Sequence, residues 1–102
     1  MNNSDVVVVR VYCSDRDHEH RQIIDLLHKE HRVAGVTAFR GIAGFGKSGA
    51  MHTSGLFDMS LDLPIIIEFF DRPDKVDEVL KLLNDRLEPG HIVSWPAKAN
   101  LD

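Results

Sequence analysis

Four strand-like apolar runs alternate with two helical segments, and their order restricts the fold more than any other feature of the chain. The strand-like runs are rich in β-branched or aromatic residues and are bounded by turn residues; they cover residues 6–13, 36–40, 63–71 and 91–95. Apolar residues at helical spacing cover about residues 17–32 and 73–87. The order β-α-β-β-α-β predicts an α+β, ferredoxin-like sandwich, with a four-stranded antiparallel sheet and two helices on one face.

Turn and capping residues set the expected ends of these elements. Ser14 and Asp17 form a capping-box-like S-x-x-D at the start of the first helix, and Gly35 is placed to end that helix. Pro73 occupies the first position of the second helix, where proline is favoured. Pro96 is expected to close the last strand.

The first and third strands carry more apolar side chains than the two predicted helices can cover. Residues 6–13 and 63–71 are apolar on both faces of the predicted sheet. Two helices cover only one face of a four-stranded sheet, so the second face requires another cover. A second copy of the chain is the simplest candidate, which predicts a homo-oligomer.

A long loop connects the second and third strands. Residues 43–62 follow neither strand nor helix periodicity and contain several glycines and hydroxyl side chains. A loop of this length is uncommon in a small domain and is usually functional or disordered. The chain of 102 residues otherwise has the size of one domain, residues 1–102.

Composition argues against several classes of function. The net charge is −4 and acidic and basic residues are interleaved, so the chain lacks the basic stripe of a nucleic-acid-binding protein. The single cysteine, Cys13, allows no intrachain disulfide and is expected to be a small buried apolar residue. The apolar runs are strand-sized and the N-terminus carries no basic segment, which predicts a cytoplasmic protein without membrane insertion.

Residues 41–48 read G-I-A-G-F-G-K-S and match the phosphate-binding pattern G-x-x-x-x-G-K-[ST]. A true P-loop continues directly into a helix, whereas two glycines follow here within seven residues. The strand that ends in Asp71 is better explained as the third strand of the split βαβ unit than as a magnesium-binding strand. We therefore expect no NTPase and no catalytic residues; any phosphate would contact loop N–H groups together with Lys47 or Arg40.

The remaining chemistry-bearing residues complete no recognisable site. Arg40 either contacts phosphate or pairs with Glu68 or Asp71, and Trp95 is expected to pack. No carboxylate or cysteine pattern completes a metal site with the histidines, so we expect no metal. Four histidines fall on the first helix and are interpreted as solvent-exposed: His18, His20, His28 and His31.

Three segments carry a family resemblance: Gly35–Gly46, which reads G-V-T-A-F-R-G-I-A-G-F-G; Met51–His52; and Asp62–Glu68, which reads D-L-P-I-I-I-E. Together they resemble the DUF190 (UPF0166) family of PII-like proteins, over about residues 6–96. More distantly, the chain is similar to the nitrogen-regulatory PII signal-transduction proteins. The resemblance implies a homotrimer in which residues 43–61 correspond to the PII T-loop, the segment that contacts regulated partners.

The same resemblance implies an adenine-nucleotide site between neighbouring subunits, at the base of the T-loop and the short loop before the last strand. Phe45 there either stacks on a base or fixes the loop at the interface. Arg40 is added as a candidate phosphate contact. The residues that the resemblance places at or near this site are Gly35, Thr37, Gly44, Phe45, Gly46, Lys47, Pro89, Gly90 and His91. The loop residues expected to contact a partner are Ser48, Met51, His52 and Phe57.

The chain also departs from PII proteins in ways that bear on the ligand. It has one residue more between the G-V-T and G-F-G runs, which predicts a bulge or an altered turn. Ile66 stands where PII carries a lysine, and the loop before the last strand is shorter, so several cationic phosphate contacts are missing. AMP, ADP and a cyclic nucleotide are therefore expected as much as ATP.

These observations predict a non-catalytic regulatory protein whose loop controls a membrane transporter or an enzyme when a nucleotide binds. Two alternatives stay open: a nucleotide-independent binding module acting on a membrane transporter, and a slow nucleotide hydrolase. RNA binding through the sheet is disfavoured, because the chain is acidic and its first and third strands lack the aromatic stacking pattern of an RRM.

Overall fold

The residues that the structure describes form six strands and two helices. The computed structural model describes residues 3–14, 18–45, 52–53 and 63–101, with 52–53 described by their backbone alone. In chain order the elements are β1 (Ser4–Ser14), α1 (Glu19–Asp25) continued by a π-helical turn (Leu26–Glu30), β2 (Gly35–Arg40), β3 (Ala43–Gly44), β4 (His52–Thr53), β5 (Pro64–Asp71), α2 (Pro73–Arg86) and β6 (Ile92–Ala99).

Four of the strands form the main sheet, in the order β2-β5-β1-β6. Every neighbouring pair in this sheet is antiparallel. With one helix after β1 and the other after β5, this is the ferredoxin-like arrangement, and the fold class expected from the sequence is confirmed. The strand that ends in Asp71 is β5, the third long strand of the unit, and it runs antiparallel to β1 rather than parallel as in a P-loop domain.

The core lies between one face of this sheet and the two helices. Val9, Val11 and Cys13 of β1 lie opposite Phe69, Ile67 and Ile65 of β5, and all six side chains are buried. The alternation of β1 thus directs every second residue to the helices, as the period of a strand requires. The helical side of the core is supplied by Ile23, Leu26, Leu27, Val76, Val79 and Leu83.

The first helix differs from its prediction at its C-terminal end. It ends in a π-helical turn in which His31 N–H donates to the Leu26 carbonyl, with an N···O distance of 3.2 Å. The left-handed residue that follows is Arg32, at φ 49°, so Gly35 does not end the helix. Gly35 instead begins β2, where a Cβ would lie 2.7 Å from the Phe70 ring, and close packing explains the glycine. Asp17, at the expected helix start, lies outside the described residues.

The last strand is longer than predicted, because β6 continues through Pro96 to Ala99. β6 forms an edge of the sheet, and an edge strand tolerates proline since one side of the strand needs no ladder hydrogen bonds. The prediction that Pro96 closes the strand is therefore wrong, and the error follows from judging the residue without knowing its place in the sheet.

The segment expected to be a structureless loop contains a second, two-stranded sheet of β3 and β4. Ala43 pairs with Thr53 and Gly44 with His52. The chain leaves the main sheet at Gly41 and Ile42, between β2 and β3, at the point where the sequence predicts a bulge or an altered turn. Across the described ranges, no helix is both long and apolar enough to cross a membrane.

Candidate functional site

One end of the main sheet gathers four strand ends. β1 ends there at Ser14 and β2 at Arg40, while β5 begins at Pro64 and β6 at Ile92. The glycine-rich segment and the loop before β6 both project from this end. Two of the segments predicted to bind a nucleotide therefore belong to the same end of the molecule.

The glycines at the start of the P-loop-like segment pack against Pro64. Gly41 N–H donates to the Pro64 carbonyl at 2.7 Å, and a Cβ at Gly41 would lie 2.6 Å from Pro64 Cγ. A Cβ at Gly44 would lie 3.3 Å from the same atom. A side chain on the first glycine of the motif would thus overlap the Pro64 ring, which gives this glycine a packing reason independent of phosphate.

The next residues of the motif are Gly44 and Phe45. Gly44 lies on β3 and Phe45 follows it with a side chain that is 70% exposed, so Phe45 does not pin the loop to its own chain. His52 lies on β4. The other predicted residues of the motif and the loop, Gly46, Lys47, Ser48, Met51 and Phe57, lie outside the described residues.

The loop before β6 is fastened to the end of β1. Tyr12 N–H donates to the His91 carbonyl at 2.8 Å, and His91 Nδ1 lies 2.8 Å from the Tyr12 carbonyl oxygen. A carbonyl oxygen only accepts hydrogen bonds, so Nδ1 carries the proton and Nε2 of the neutral ring is an acceptor. Gly90 has φ 91°, a conformation that favours glycine, and a Cβ there would meet nothing within 4 Å.

The two halves of the predicted site follow or precede strands on opposite edges of the sheet of one chain. β2, which leads into the glycine segment, forms one edge, and β6, which follows Gly90 and His91, forms the other. Three strand spacings of about 4.8 Å separate β2 from β6, or about 14 Å. Gly35 and Thr37 lie further from this end, opposite Phe70 and Glu68 of β5. A single protomer therefore does not bring the predicted residues together.

The face of the sheet that the helices leave open has a charged centre. Arg10 lies opposite both Glu68 and Val93 in the strand register. Its Nε donates to Glu68 Oε1 at 2.8 Å, and its Cζ lies 5.7 Å from the centroid of the Trp95 ring. The hydrogen bond to Glu68, followed by one to the Tyr12 side chain, raises the pKa of Arg10 above its usual value, so Arg10 stays cationic at any working pH.

Sequence reasoning overlooked this pair, although a signal for it was present. Arg10 interrupts a run of valines and Glu68 interrupts a run of isoleucine and phenylalanine. One charge of each sign in two neighbouring apolar strands indicates a pair across the sheet. The alternative that Glu68 pairs with Arg40 is not what forms, since Arg40 lies opposite Ile65 and Glu68 binds Arg10 instead.

Asp71, the acidic residue at the end of β5, has a structural role. Asp71 Oδ2 accepts from Ala34 N–H at 3.0 Å and Oδ1 accepts from Arg72 N–H at 2.7 Å. The carboxylate thereby joins the entry to β2 to the start of α2.

Cys13 is buried as expected, and its Sγ lies 3.5 Å from the Ile65 carbonyl oxygen. Among the residues that the structure describes, no three histidine, cysteine, aspartate or glutamate side chains are grouped to hold a metal.

Sequence comparison identifies relatives over most of the chain. The DUF190 family model, described as "Uncharacterized ACR", matches residues 6–99. A UPF0166 protein of Aquifex aeolicus is 32% identical over 75 residues, which cover 74% of this chain and 76% of that protein. A second match to a UPF0166 protein of Aquifex aeolicus is 36% identical over 53 residues, which cover 52% of this chain but only 50% of that protein.

Solved structures share the fold at low sequence identity. CPII from Thiomonas intermedia K12, a nitrogen regulatory PII-like protein bound to ADP, AMP and bicarbonate, aligns with a TM-score of 0.70 at 19% identity, covering 96% of this chain and 89% of that one. A putative PII-like signaling protein from Thermus thermophilus, TTHA0516, aligns with a TM-score of 0.66 at 13% identity, covering 97% and 91%. The chain belongs to the DUF190 (UPF0166) family and has the fold of PII-like proteins.

Proposed function

We propose that this protein is a non-catalytic, cytoplasmic regulator that assembles as a homotrimer and binds an adenine nucleotide between neighbouring copies. The observation that carries the proposal is the position of the two predicted half-sites on opposite edges of one sheet. A site divided in this way is completed when the β2 edge of one copy lies beside the β6 edge of the next. Family membership and the likeness to nucleotide-bound CPII support the nucleotide.

The open face of the sheet supplies the surface for this assembly. Four large side chains on it are between 38% and 47% exposed, namely Tyr12, Phe39, Val93 and Trp95. They lie on three strands, so the apolar surface is continuous across the sheet rather than a scatter of single residues. Covering this face with copies of the chain removes it from water, which favours association.

His91 is the best-defined contact on the β6 side of the proposed site. Its Nδ1–H is held by the Tyr12 carbonyl, which fixes the ring and leaves Nε2 as the group that can meet a ligand. A neutral Nε2 accepts from the amino group of adenine or from a ribose hydroxyl, whereas a protonated one donates to phosphate. Gly90 supports the same role, because its positive φ allows the turn that presents His91.

The glycine segment forms the other half of the site. Its loop N–H groups and Lys47 bind phosphate in the proposal, with Arg40 at the end of β2 as a further cation. Because few cations are available to bind phosphate, the site suits AMP, ADP or a cyclic nucleotide as well as ATP. The long loop, with Ser48, Met51, His52 and Phe57, then docks on a transporter or an enzyme according to whether the nucleotide is bound.

Calorimetric titration of the purified protein with AMP, ADP, ATP and cyclic AMP tests this proposal. His91→Asn retains an N–H donor near the position of Nδ1 and removes Nε2, so it should preserve folding. It should weaken nucleotide binding by about fivefold if Nε2 accepts from the base or the ribose, and by about tenfold or more if a protonated ring donates to phosphate. Lys47→Ala should weaken the binding of the nucleotides with the most phosphate groups more than that of the others. The absence of binding to all four nucleotides at millimolar concentration would contradict the proposal.

The same samples separate the alternatives. Phosphate release that is lost in Lys47→Ala while the thermal unfolding temperature is unchanged would indicate a hydrolase. Capture of a partner protein that is insensitive to all four nucleotides would indicate a nucleotide-independent binding module. The regulatory function instead predicts no turnover and partner capture that changes with nucleotide.

A further inference from the structure

We propose that Arg10 and Glu68 form the charge-neutral centre of the assembly face and determine how the copies align on one another. The inference rests on the assembly proposed above and assigns its specificity to two residues. Glu68 neutralises Arg10 at the place where copies of the same side chain approach one another.

The pair is held in place from several sides. The Nε–Oε1 hydrogen bond of 2.8 Å joins the adjacent strands β1 and β5, and the guanidinium also lies 5.7 Å from the ring of Trp95 on β6. The side chains are 38% and 29% exposed, so both are already partly desolvated in a single protomer. Such a pair is closer to a fixed structural feature than to a mobile surface ion pair.

The surroundings of the pair are mostly apolar, apart from Thr37, which lies opposite Glu68 on β2, and the polar group of Tyr12, which hydrogen-bonds Arg10. Val93 is next to Arg10 in the register, and Tyr12 and Ile66 form the neighbouring row toward the site end of the sheet. Phe70 and Val8 form the row on the other side. A partner that covers this face therefore removes water from Arg10 and Glu68, and a buried charge is tolerated only when its partner is present.

Because the centre of this face has no net charge, a second copy of the chain is a better occupant of the face than a different protein. Rotational symmetry places the same residue of each copy around one axis, so an unpaired Arg10 would meet the Arg10 of its neighbours and repel them. Glu68 cancels that charge within each copy. Recognition of a different protein by charge would instead require an unpaired charge on this face. Among the described residues at its centre there is none, because Arg10 and Glu68 pair with each other.

The chain contains a matched control for this inference. Asp5 and Lys98 form a second ion pair between β1 and β6, but their side chains are 73% and 66% exposed. Glu68→Gln and Asp5→Asn each remove one negative charge from the same sheet. Only the first leaves an unpaired charge in the apolar centre.

Sedimentation equilibrium at low and high salt, with circular dichroism to verify folding, measures the difference. Glu68→Gln should raise the dissociation constant of the assembly by about tenfold or more at low salt, and high salt should reduce this effect by screening the like charges. Asp5→Asn should leave the dissociation constant within about twofold of the wild type.

A double variant keeps the test decisive if Glu68→Gln folds poorly. Arg10→Met with Glu68→Leu removes both charges, so the assembly should persist but sediment as more than one oligomeric state, because alignment is no longer specified. Equal behaviour of Glu68→Gln and Asp5→Asn, or dissociation of the double variant, would overturn the inference. A monomeric wild type would overturn the proposed assembly itself, whereas an oligomeric wild type unaffected by Glu68→Gln would overturn this inference alone.

Discussion

The two faces of the main sheet differ in how far the chain's own residues cover them. On the helix-covered face, Val9, Val11, Ile67 and Phe69 are 0% exposed. On the other face, Phe39 and Trp95 remain 44% and 38% exposed around a hydrogen-bonded ion pair. The first face is completed by the chain's own helices, and in the proposed function the second is covered by other copies of the chain. Folding and the proposed association are then assigned to opposite sides of the same four strands.

The largest effect is expected on the covered face. Leu83 is 0% exposed whereas its neighbour on α2, Leu82, is 43% exposed. Leu83→Ala should lower the free energy of unfolding by about 2–5 kcal/mol, because it removes a fully packed side chain and leaves a cavity. Leu82→Ala should change it by less than about 1 kcal/mol. Chemical denaturation at equal protein concentration checks both, and equal losses would contradict the assignment of the core.

A smaller effect of a different kind is expected on the open face. Phe39→Asp places a charge in the proposed interface, so it should weaken association by about 2 kcal/mol or more while the monomer remains folded. Phe39→Leu is the control, since it keeps an apolar side chain there. Size-exclusion chromatography with light scattering, compared with circular dichroism, checks the prediction. Loss of secondary structure together with loss of assembly would mean that this face also stabilises the protomer.

The smallest effect concerns the glycine segment at the sheet end. Gly41→Ala should destabilise the fold by about 1–2 kcal/mol, because the added Cβ would overlap Pro64 and force the backbone to shift. Gly44→Ala should cost less, since its Cβ would lie 3.3 Å from Pro64 Cγ rather than 2.6 Å. Thermal unfolding without ligand checks the order. A Gly41→Ala protein of normal stability with weakened nucleotide binding would instead assign this glycine to the ligand.

The order of strands and helices followed from periodicity, and the prediction that copies of the chain cover the second face rests on the same patterns. Strand β6 was harder to delimit, because whether Pro96 ends a strand depends on whether that strand is an edge. The short β3–β4 sheet depends on pairings between residues about ten apart, which local patterns do not encode. The π-helical turn after α1 is a local hydrogen-bond shift that the helical spacing of apolar residues did not indicate.

The candidate site was predictable in part. The glycine motif and the loop before β6 lie at one end of the sheet, yet the packing reason for Gly41 is its contact with Pro64, which is distant in sequence. His91 came only from the family resemblance, whereas the orientation of its ring is set by the Tyr12 carbonyl. That the two halves lie on opposite edges became evident only once the strand order was known.

The most direct test of a site shared between copies is a mixed assembly. Lys47→Ala impairs the glycine-loop half and His91→Asn the β6 half, so chains carrying each change are co-expressed with different tags and purified through both. Each variant alone should bind ADP weakly, but every mixed trimer should regain one wild-type site, about a third of the total. Calorimetric stoichiometry measures this share. A mixed assembly that binds no better than its two parents would contradict a site formed between copies.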